Sequence, residues 1–244
     1  TSPTIRPEMI RIVADSLARQ DFDGEWEWLI GAPEKLREDF IKAIDGVVPF
    51  TFIPEPAKLE GDFYALDKCW NELFRHVKGE LIINIVDGIS FPADTLSNLW
   101  YHYESNPRAC ITTVGHQYEY SNGILGTCVW RDPRARLDQG SFYQVNYPEM
   151  ELCLASFPKQ AVIDVKGFKN IFDIGAALGE KEMMLRMDKL GYTLWIDQSI
   201  EYKAIHHGRI GGNDEWEKHY KIACGLFDKH FHDMQQGIGL KGDL

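Results

Sequence analysis

The stretch Glu80–Val86 (ELIINIV) is a mostly apolar, β-rich run that stops at Asp87-Gly88. Such a run reads as a central strand buried on both faces, and open parallel sheets bind ligands beyond the carboxyl ends of their strands. A carboxylate at that point, followed by glycine, reaches a ligand with no bulky neighbour in the way. The same residue also suits a helix cap or a loop hydrogen bond, so Asp87 by itself is a modest signal. Glu180 and Glu182 stand at the start of a helical pattern, Glu180–Leu190. The helix dipole alone favours acids there; a carboxylate close to a reacting hydroxyl can also take its proton. His206-His207 follow a strand pattern, where imidazoles meet a metal or phosphate or simply finish the strand with local hydrogen bonds. Arg131, Arg134 and Arg136 concentrate positive charge around an Asp-Pro turn, as a loop over phosphates or as a structural turn. His116, His219, His230 and His232 show no ligand spacing, and Gly115, Gly123 and Gly126 read as turn residues.

The elements that must position these residues follow from periodicity. Thr1–Pro7 reads as a strand end passing into a loop. Glu8–Gln20 has a helical apolar face through Met9, Ile10, Ile12, Val13 and Leu17. Strands are expected at Glu25–Gly31, Val47–Ile53, Glu80–Val86, Ile111–His116, Leu125–Trp130 and Thr193–Ile196. Helices are expected at Pro33–Ile44, Asp62–Val77 with Gly79 as its cap, Pro92–Glu104, Glu180–Leu190 and Glu215–Met234. Arg131–Pro148 reads as irregular. Strand and helix alternate through the first half, which predicts an α/β fold with a mostly parallel sheet and crossover helices. Residues 1–210 form the expected main domain. Residues 211–244 are a helical appendage packed on it, with a hinge at Gly208–Gly212 and a frayed tail from Gly237.

The chain has 244 residues, enough for one large domain with a core that needs no disulfide. Its 26 Lys+Arg against 37 Asp+Glu give a net charge of −11, which repels a polyanion on average. The five cysteines form no C-x-x-C pair, so reduced thiols are expected. No run of about 18 apolar residues and no signal peptide is visible, so a cytoplasmic protein without a membrane span is expected. The chain opens on Thr1 instead of Met, which leaves room for residues upstream.

Several segments resemble family 2 glycosyltransferases, and the resemblance spans most of the chain. Pro3-Thr4-Ile5-Arg6-Pro7 is similar to the Pro-Thr…Arg loop that borders the nucleotide. Lys68 and Asn71 fall on a helix whose polar face lies near the nucleotide. IINIVDGISFP resembles the strand bearing the Asp-x-Asp motif, with Asp87 on the second acid and Ile85 in place of the first. The family's second-strand Asp is absent from WLIGAPEK. DVKGFKNIF resembles the loop that contacts acceptor and sugar, through Gly167 and Phe168. GEKEMMLRMDKLGY resembles "EDxDLxxRLxxxGY": Arg186, Gly191 and Tyr192 match, Glu180 falls on the catalytic base, Glu182 on the next acid, and Gly179 replaces the preceding Glu. His206 or His207 stands where metal-dependent relatives place a His.

The resemblance implies a GT-A, Rossmann-like fold and a metal-dependent, inverting hexosyltransferase. Its donor is a nucleotide sugar, UDP-sugar favoured, and its acceptor a saccharide or other hydroxyl compound. Pro3, Thr4, Arg6, Lys68, Asn71, Asp87, Gly88 and Arg131 are the implied donor contacts. Asp87, His206 and His207 are the implied ligands of Mn²⁺ or Mg²⁺. Two acids hold the implied catalytic positions: Glu180 as general base, with Glu182 as its rival. The physical logic is consistent: a divalent cation neutralises the departing diphosphate, and a carboxylate accepts the acceptor's proton. Arg186 reads as an ion-pair residue. A nucleotidyltransferase would need a Gly-rich phosphate loop near the N-terminus, and none is present. A non-catalytic module on a degenerate scaffold gains weight from Ile85 and Gly179. A transferase acting on hydroxymethylated DNA bases remains a minority reading that rests on the Arg131–Arg136 cluster.

Overall fold

The computed structural model describes residues 1–121, 123–136, 138–206 and 212–244. The chain begins with a short strand, β1 (Ser2–Pro3), and a helix, α1 (Pro7–Leu17), whose first position is a proline with φ already set for the helix. There follow β2 (Leu29–Ala32), α2 (Arg37–Ile44), β3 (Thr51–Pro54), α3 (Leu66–His76) and β4 (Leu81–Ile85). Strands β1, β2 and β3 form a parallel sheet. The Thr1 amine donates to the Ile83 carbonyl at 2.7 Å and the Ile85 amide to the Thr1 carbonyl at 2.9 Å, a parallel bridge that joins this sheet to β4.

The second half adds β5 (Ile89–Ser90), α4 (Thr95–Ser105), β6 (Ala109–Ser121), β7 (Ile124–Trp130), β8 (Phe142–Gln144), β9 (Leu154–Pro158), α5 (Lys159–Val165), α6 (Gly179–Lys189), β10 (Thr193–Ile205) and α7 (Gly212–Gln235). With β4 they build a seven-stranded sheet in the order β4-β9-β6-β10-β5, with β7 on β6 and β8 on β10. The fold is α/β, as expected, but this sheet is mixed. Only β6 and β10 pair in parallel; β9 runs antiparallel to both β4 and β6. The reason lies between β7 and β9, which among the described residues carries no α-helix. A parallel neighbour needs a crossover connection, and without one the chain re-enters antiparallel.

Two apolar clusters hold the layers together. One gathers Trp70, Leu73, Phe74, Phe157, Phe168 and Met183; the other gathers Ile10, Val13, Phe40, Leu99 and Ile111. The α3 helix presents Cys69, Trp70, Leu73 and Phe74 inward. Its first amides are capped from far along the chain, because the Asp173 carboxylate accepts from the Asp67 and Lys68 amides at 2.8 and 3.1 Å.

Several local expectations change. The α3 helix ends at His76 with Val77 extended, so Gly79 is not its cap. Gly115 is not a turn residue: it lies inside β6, and a Cβ there would sit 2.0 Å from the Tyr202 ring. Gly126 is within β7. The β10 strand continues to Ile205, nine residues beyond its expected end. The hinge at 208–212 lies mostly outside the described residues. The tail is docked, not frayed. Gly242, Asp243 and Leu244 donate their amides to the carbonyls of Val165, Phe168 and Lys166 at 2.6–2.8 Å. Left-handed backbone at Lys166 (φ 56°) and Gly167 (φ 64°) turns those carbonyls outward, where they need partners.

Candidate active site

Asp87 lies where β4 ends, with its side chain 5% exposed. Gly88 follows with φ 67°, a left-handed turn that suits glycine. The carboxylate accepts hydrogen bonds from the Thr4 hydroxyl and from Arg6, whose Nε is 3.1 Å away and whose second guanidinium nitrogen also bonds it. The Pro3-Thr4-Ile5-Arg6 loop and the Asp87-Gly88 turn are thus one unit, with Pro3 buried in β1. From the other side the Ile205 amide donates to the Gly88 carbonyl at 2.9 Å. His206, the next residue, is exposed, with Nδ1 2.9 Å from Gln117 Oε1. Arg6, Asp87, Gln117, Trp130, Cys153 and Tyr202 line the cleft between these elements. His207 lies outside the described residues. Among those described, no group of three or more His, Cys, Asp or Glu is arranged to hold a metal ion.

Glu180 is on the first turn of α6, its side chain 30% exposed. Burial, with the charge of Glu151 beside it, pushes its carboxyl up to about 7 against the opposing pull of Lys181. Cys153 ties it to the cleft: this thiol lines the cleft, its backbone carbonyl accepts from Val86 beside Asp87, and it feels the charge of Glu180. Gly179, at the position where the resemblance expects a Glu, leaves room for a different carboxylate. A Cβ there would lie 2.3 Å from Asp67 Oδ2.

Glu182 is not available for catalysis. Two residues along a helix is about 200° around the axis, and its side chain is fully buried. Arg186 Nε bonds both its oxygens at 2.9 Å, Arg186 also donates at 2.7 Å, and Lys169 lies at 3.2 Å. Burial alone would raise its pKa; the hydrogen bonds and charges of His230, Arg186 and Lys169 outweigh it and hold the carboxyl down at about 2. Arg186 is therefore the ion-pair residue the sequence suggested.

Other expected contacts are committed elsewhere. Asn71 is buried; its Oδ1 accepts from the Phe168 amide at 2.8 Å, and its Nδ2 donates to the Phe168 carbonyl and to Asn170. That leaves no group for a nucleotide. Lys68 bonds Asp62 and lies 3.9 Å from Asp173. Gly167 is covered by Leu244 and Asn71. Phe168 is 1% exposed and stacks on both Trp70 and Phe74, and it lines a pocket beside Glu180. The arginine cluster is not a free basic loop. Arg134 grips Asp132 and the carbonyls of Thr113 and Glu149, and Arg136 pairs with Glu149. Arg131 and Arg136 are both exposed, and Arg131 stands next to Trp130 at the cleft. A separate cavity is apolar, lined by Phe22, Trp28, Ile83 and Trp100. It sits at the amino ends of β2 and β4, the end opposite to ligand sites of parallel sheets.

No family model and no curated protein sequence matches the chain. Solved structures do. TarS from S. aureus, in complex with UDP, aligns with a TM-score of 0.58 at 11% identity over 84% of this chain. GalNAc-T7, with UDP, GalNAc and Mn²⁺, aligns at 0.63 and 12% identity over 84% of this chain. The mannosyltransferase PcManGT from Pyrobaculum calidifontis, with GDP-Man and Mn²⁺, aligns at 0.61 and 14% identity over 88%. The chain spans 59%, 43% and 58% of the lengths of those three chains. By the path of its backbone, this protein has the fold of the GT-A nucleotide-sugar glycosyltransferases.

Proposed function

We propose that the chain transfers a sugar from a nucleoside-diphosphate donor to an acceptor hydroxyl, with Glu180 as the general base. One observation carries this reading: a partly exposed carboxyl pushed to about 7 lies near enough to Cys153, a residue of the Asp87 cleft, for its charge to be felt there. A base with that affinity for protons is half ionised near neutrality, where proton acceptance is most effective. The donor's diphosphate lies over Thr4, Arg6 and Gly88, with Arg131 at the rim. The acceptor oxygen attacks the anomeric carbon, its proton passes to a Glu180 oxygen, and the bond from that carbon to the diphosphate oxygen breaks with inversion.

The solved structures with this fold, which hold UDP, UDP with GalNAc, and GDP-Man, favour UDP- or GDP-sugars as donor class, and two of them hold Mn²⁺. Asp87 and His206 offer one carboxylate and one imidazole, each one residue from the Ile205–Gly88 hydrogen bond that joins the two strand ends. Metals of phosphate sites keep much of their shell from phosphate and water and take one or two protein ligands. This sparse set therefore fits Mn²⁺ or Mg²⁺, with Arg6 then available to the diphosphate. When bound, such a cation neutralises charge on the leaving diphosphate. The domain division at residue 210 and a cytoplasmic setting belong to the same proposal. No helix among the described residues is long and apolar enough to cross a membrane.

A non-catalytic sugar-nucleotide module is the second reading, favoured by the full engagement of Asp87 with Arg6 and Thr4. Donor hydrolysis separates the two. UDP-sugars and GDP-sugars incubated with the chain, with and without Mn²⁺, release free sugar under the transferase reading; binding without turnover supports the module. Arg134 and Arg136 are paired with Asp132 and Glu149, which leaves Arg131 as the arginine of this cluster that a DNA acceptor would meet.

A further inference from the structure

A second pocket adjoins Glu180. It shares no lining residue with the Asp87 cleft. The rings of Trp70, Phe168 and Phe172 form its apolar part, and Asp67, Asp173 and Glu180 its polar part. Asp173 is spent on the amides that open α3. Asp67 is different. It is 6% exposed, and among the described residues its carboxylate receives no hydrogen bond and forms no ion pair. Its oxygens are not among the fully enclosed unpartnered atoms, so what solvent they reach is in the pocket, and a carboxylate so nearly buried is costly to leave without donors. Among the described residues the neighbouring cations do not supply one. Arg186 is committed to Glu182 and the Val165 carbonyl, and Lys181 stands 3.9 Å from Glu180 while bonding the Met150 carbonyl.

We infer that this pocket receives a protonated amino group of the acceptor, held by Asp67 against the aromatic faces, while a neighbouring hydroxyl of the same molecule meets Glu180. The inference rests on the transferase reading for the word acceptor, and narrows its class to amine-bearing hydroxyl compounds such as amino sugars. An ammonium supplies the donors that the carboxylate lacks, in charge-assisted bonds, and gains from rings in a desolvated site. Burial and the nearby carboxylates push Asp67 well above its ordinary value, the condition that a bound cation relieves. The wall beside it is strained: Ala177 and Leu178, neither a glycine, are consecutive left-handed residues with φ 65° and 70°. Such backbone persists where the surrounding structure enforces it and clusters at ligand sites.

The test titrates ¹⁵N-labelled protein with methylammonium chloride, with methanol as a neutral isostere and sodium chloride as the salt control. The expected result is saturable amide shifts confined to the Asp67, Asp173 and Gly179 regions for methylammonium alone. Asp67→Asn, whose circular dichroism shows whether it is folded, should weaken that binding about tenfold or more. Equal response to methanol, or no saturable shift in the wild type, overturns the proposal. A second arm compares D-glucosamine with D-glucose, and the amino sugar should bind tighter by a similar factor in the wild type only. Donor hydrolysis in the same preparation judges the transferase reading separately. Turnover with no ammonium binding sinks this inference and leaves the other standing.

Discussion

Replacing Glu182 with Gln should cost the fold about 3 kcal/mol at neutral pH, a figure that follows from the buried network around it. The folded carboxyl is held at about 2, against an ordinary value of 4.5. That difference of about 2.5 pH units, at about 1.4 kcal/mol per unit, gives about 3 kcal/mol of stability tied to the ionised form. The side chain is fully buried, so solvent screening does not reduce it. Gln keeps the size and loses the charge, leaving Arg186 and Lys169 buried without a counter-ion, a situation that typically costs about 3–5 kcal/mol. The pH dependence has a definite sign. Because the folded pKa is lowered, the contribution is complete above about 4.5 and disappears as pH falls toward about 2. Urea midpoints of wild type and Glu182→Gln should therefore differ fully at pH 7 and 5, and by about half as much at pH 3. A double variant, Glu182→Gln with Arg186→Met, should recover part of the loss. Equal midpoints at pH 7, or a gap that widens at pH 3, would refute the reasoning.

Two other perturbations read the donor cleft. Gly115→Ala places a methyl group 2.0 Å from the Tyr202 ring, so the ring must leave its position beside Cys153; thermal melting should report a loss of about 1–3 kcal/mol. Asp87→Asn preserves shape and removes the charge that holds Arg6, so calorimetry should show Mn²⁺-dependent UDP binding reduced at least about tenfold. Unchanged binding in that variant would place the diphosphate elsewhere.

Much of the chain was legible because local pattern and tertiary role agree. The apolar run before Asp87 is a buried strand, and the α6 register fixed by Arg186, Gly191 and Tyr192 places Glu180 outward and Glu182 inward. What escaped the sequence depends on contacts between distant residues. Nothing at Asn71 announces that its carboxamide clamps the Phe168 backbone, 97 positions away. Asp67 carries no local sign that it fills the space left by Gly179, although its place at the start of α3 beside Lys68 could have raised the question. The direction of β9 and the full length of β10 are not legible, because a short apolar strand carries no record of its direction and because an irregularity between Asp197 and Glu201 interrupts the strand pattern of β10. The arginines after β7 looked like a phosphate loop because charge density is visible in sequence and ion pairing is not. Tyr202, Gln117 and Trp130 line the cleft from strands whose register only the folded sheet defines.

The most direct test of the account is the rate of sugar transfer at saturating donor, measured against pH for the wild type and for Glu180→Gln. The folded carboxyl is raised to about 7, and a base works when ionised, so the wild-type rate should rise with pH through about 7 and level off above it. Glu180→Gln should bind donor normally, lose the pH limb, and transfer about 10²–10⁴-fold more slowly, or about 3–5 kcal/mol in the barrier. A near-normal rate in Glu180→Gln, with the rise through pH 7 intact, would contradict the assignment of the base and leave the proposed transfer without its catalyst.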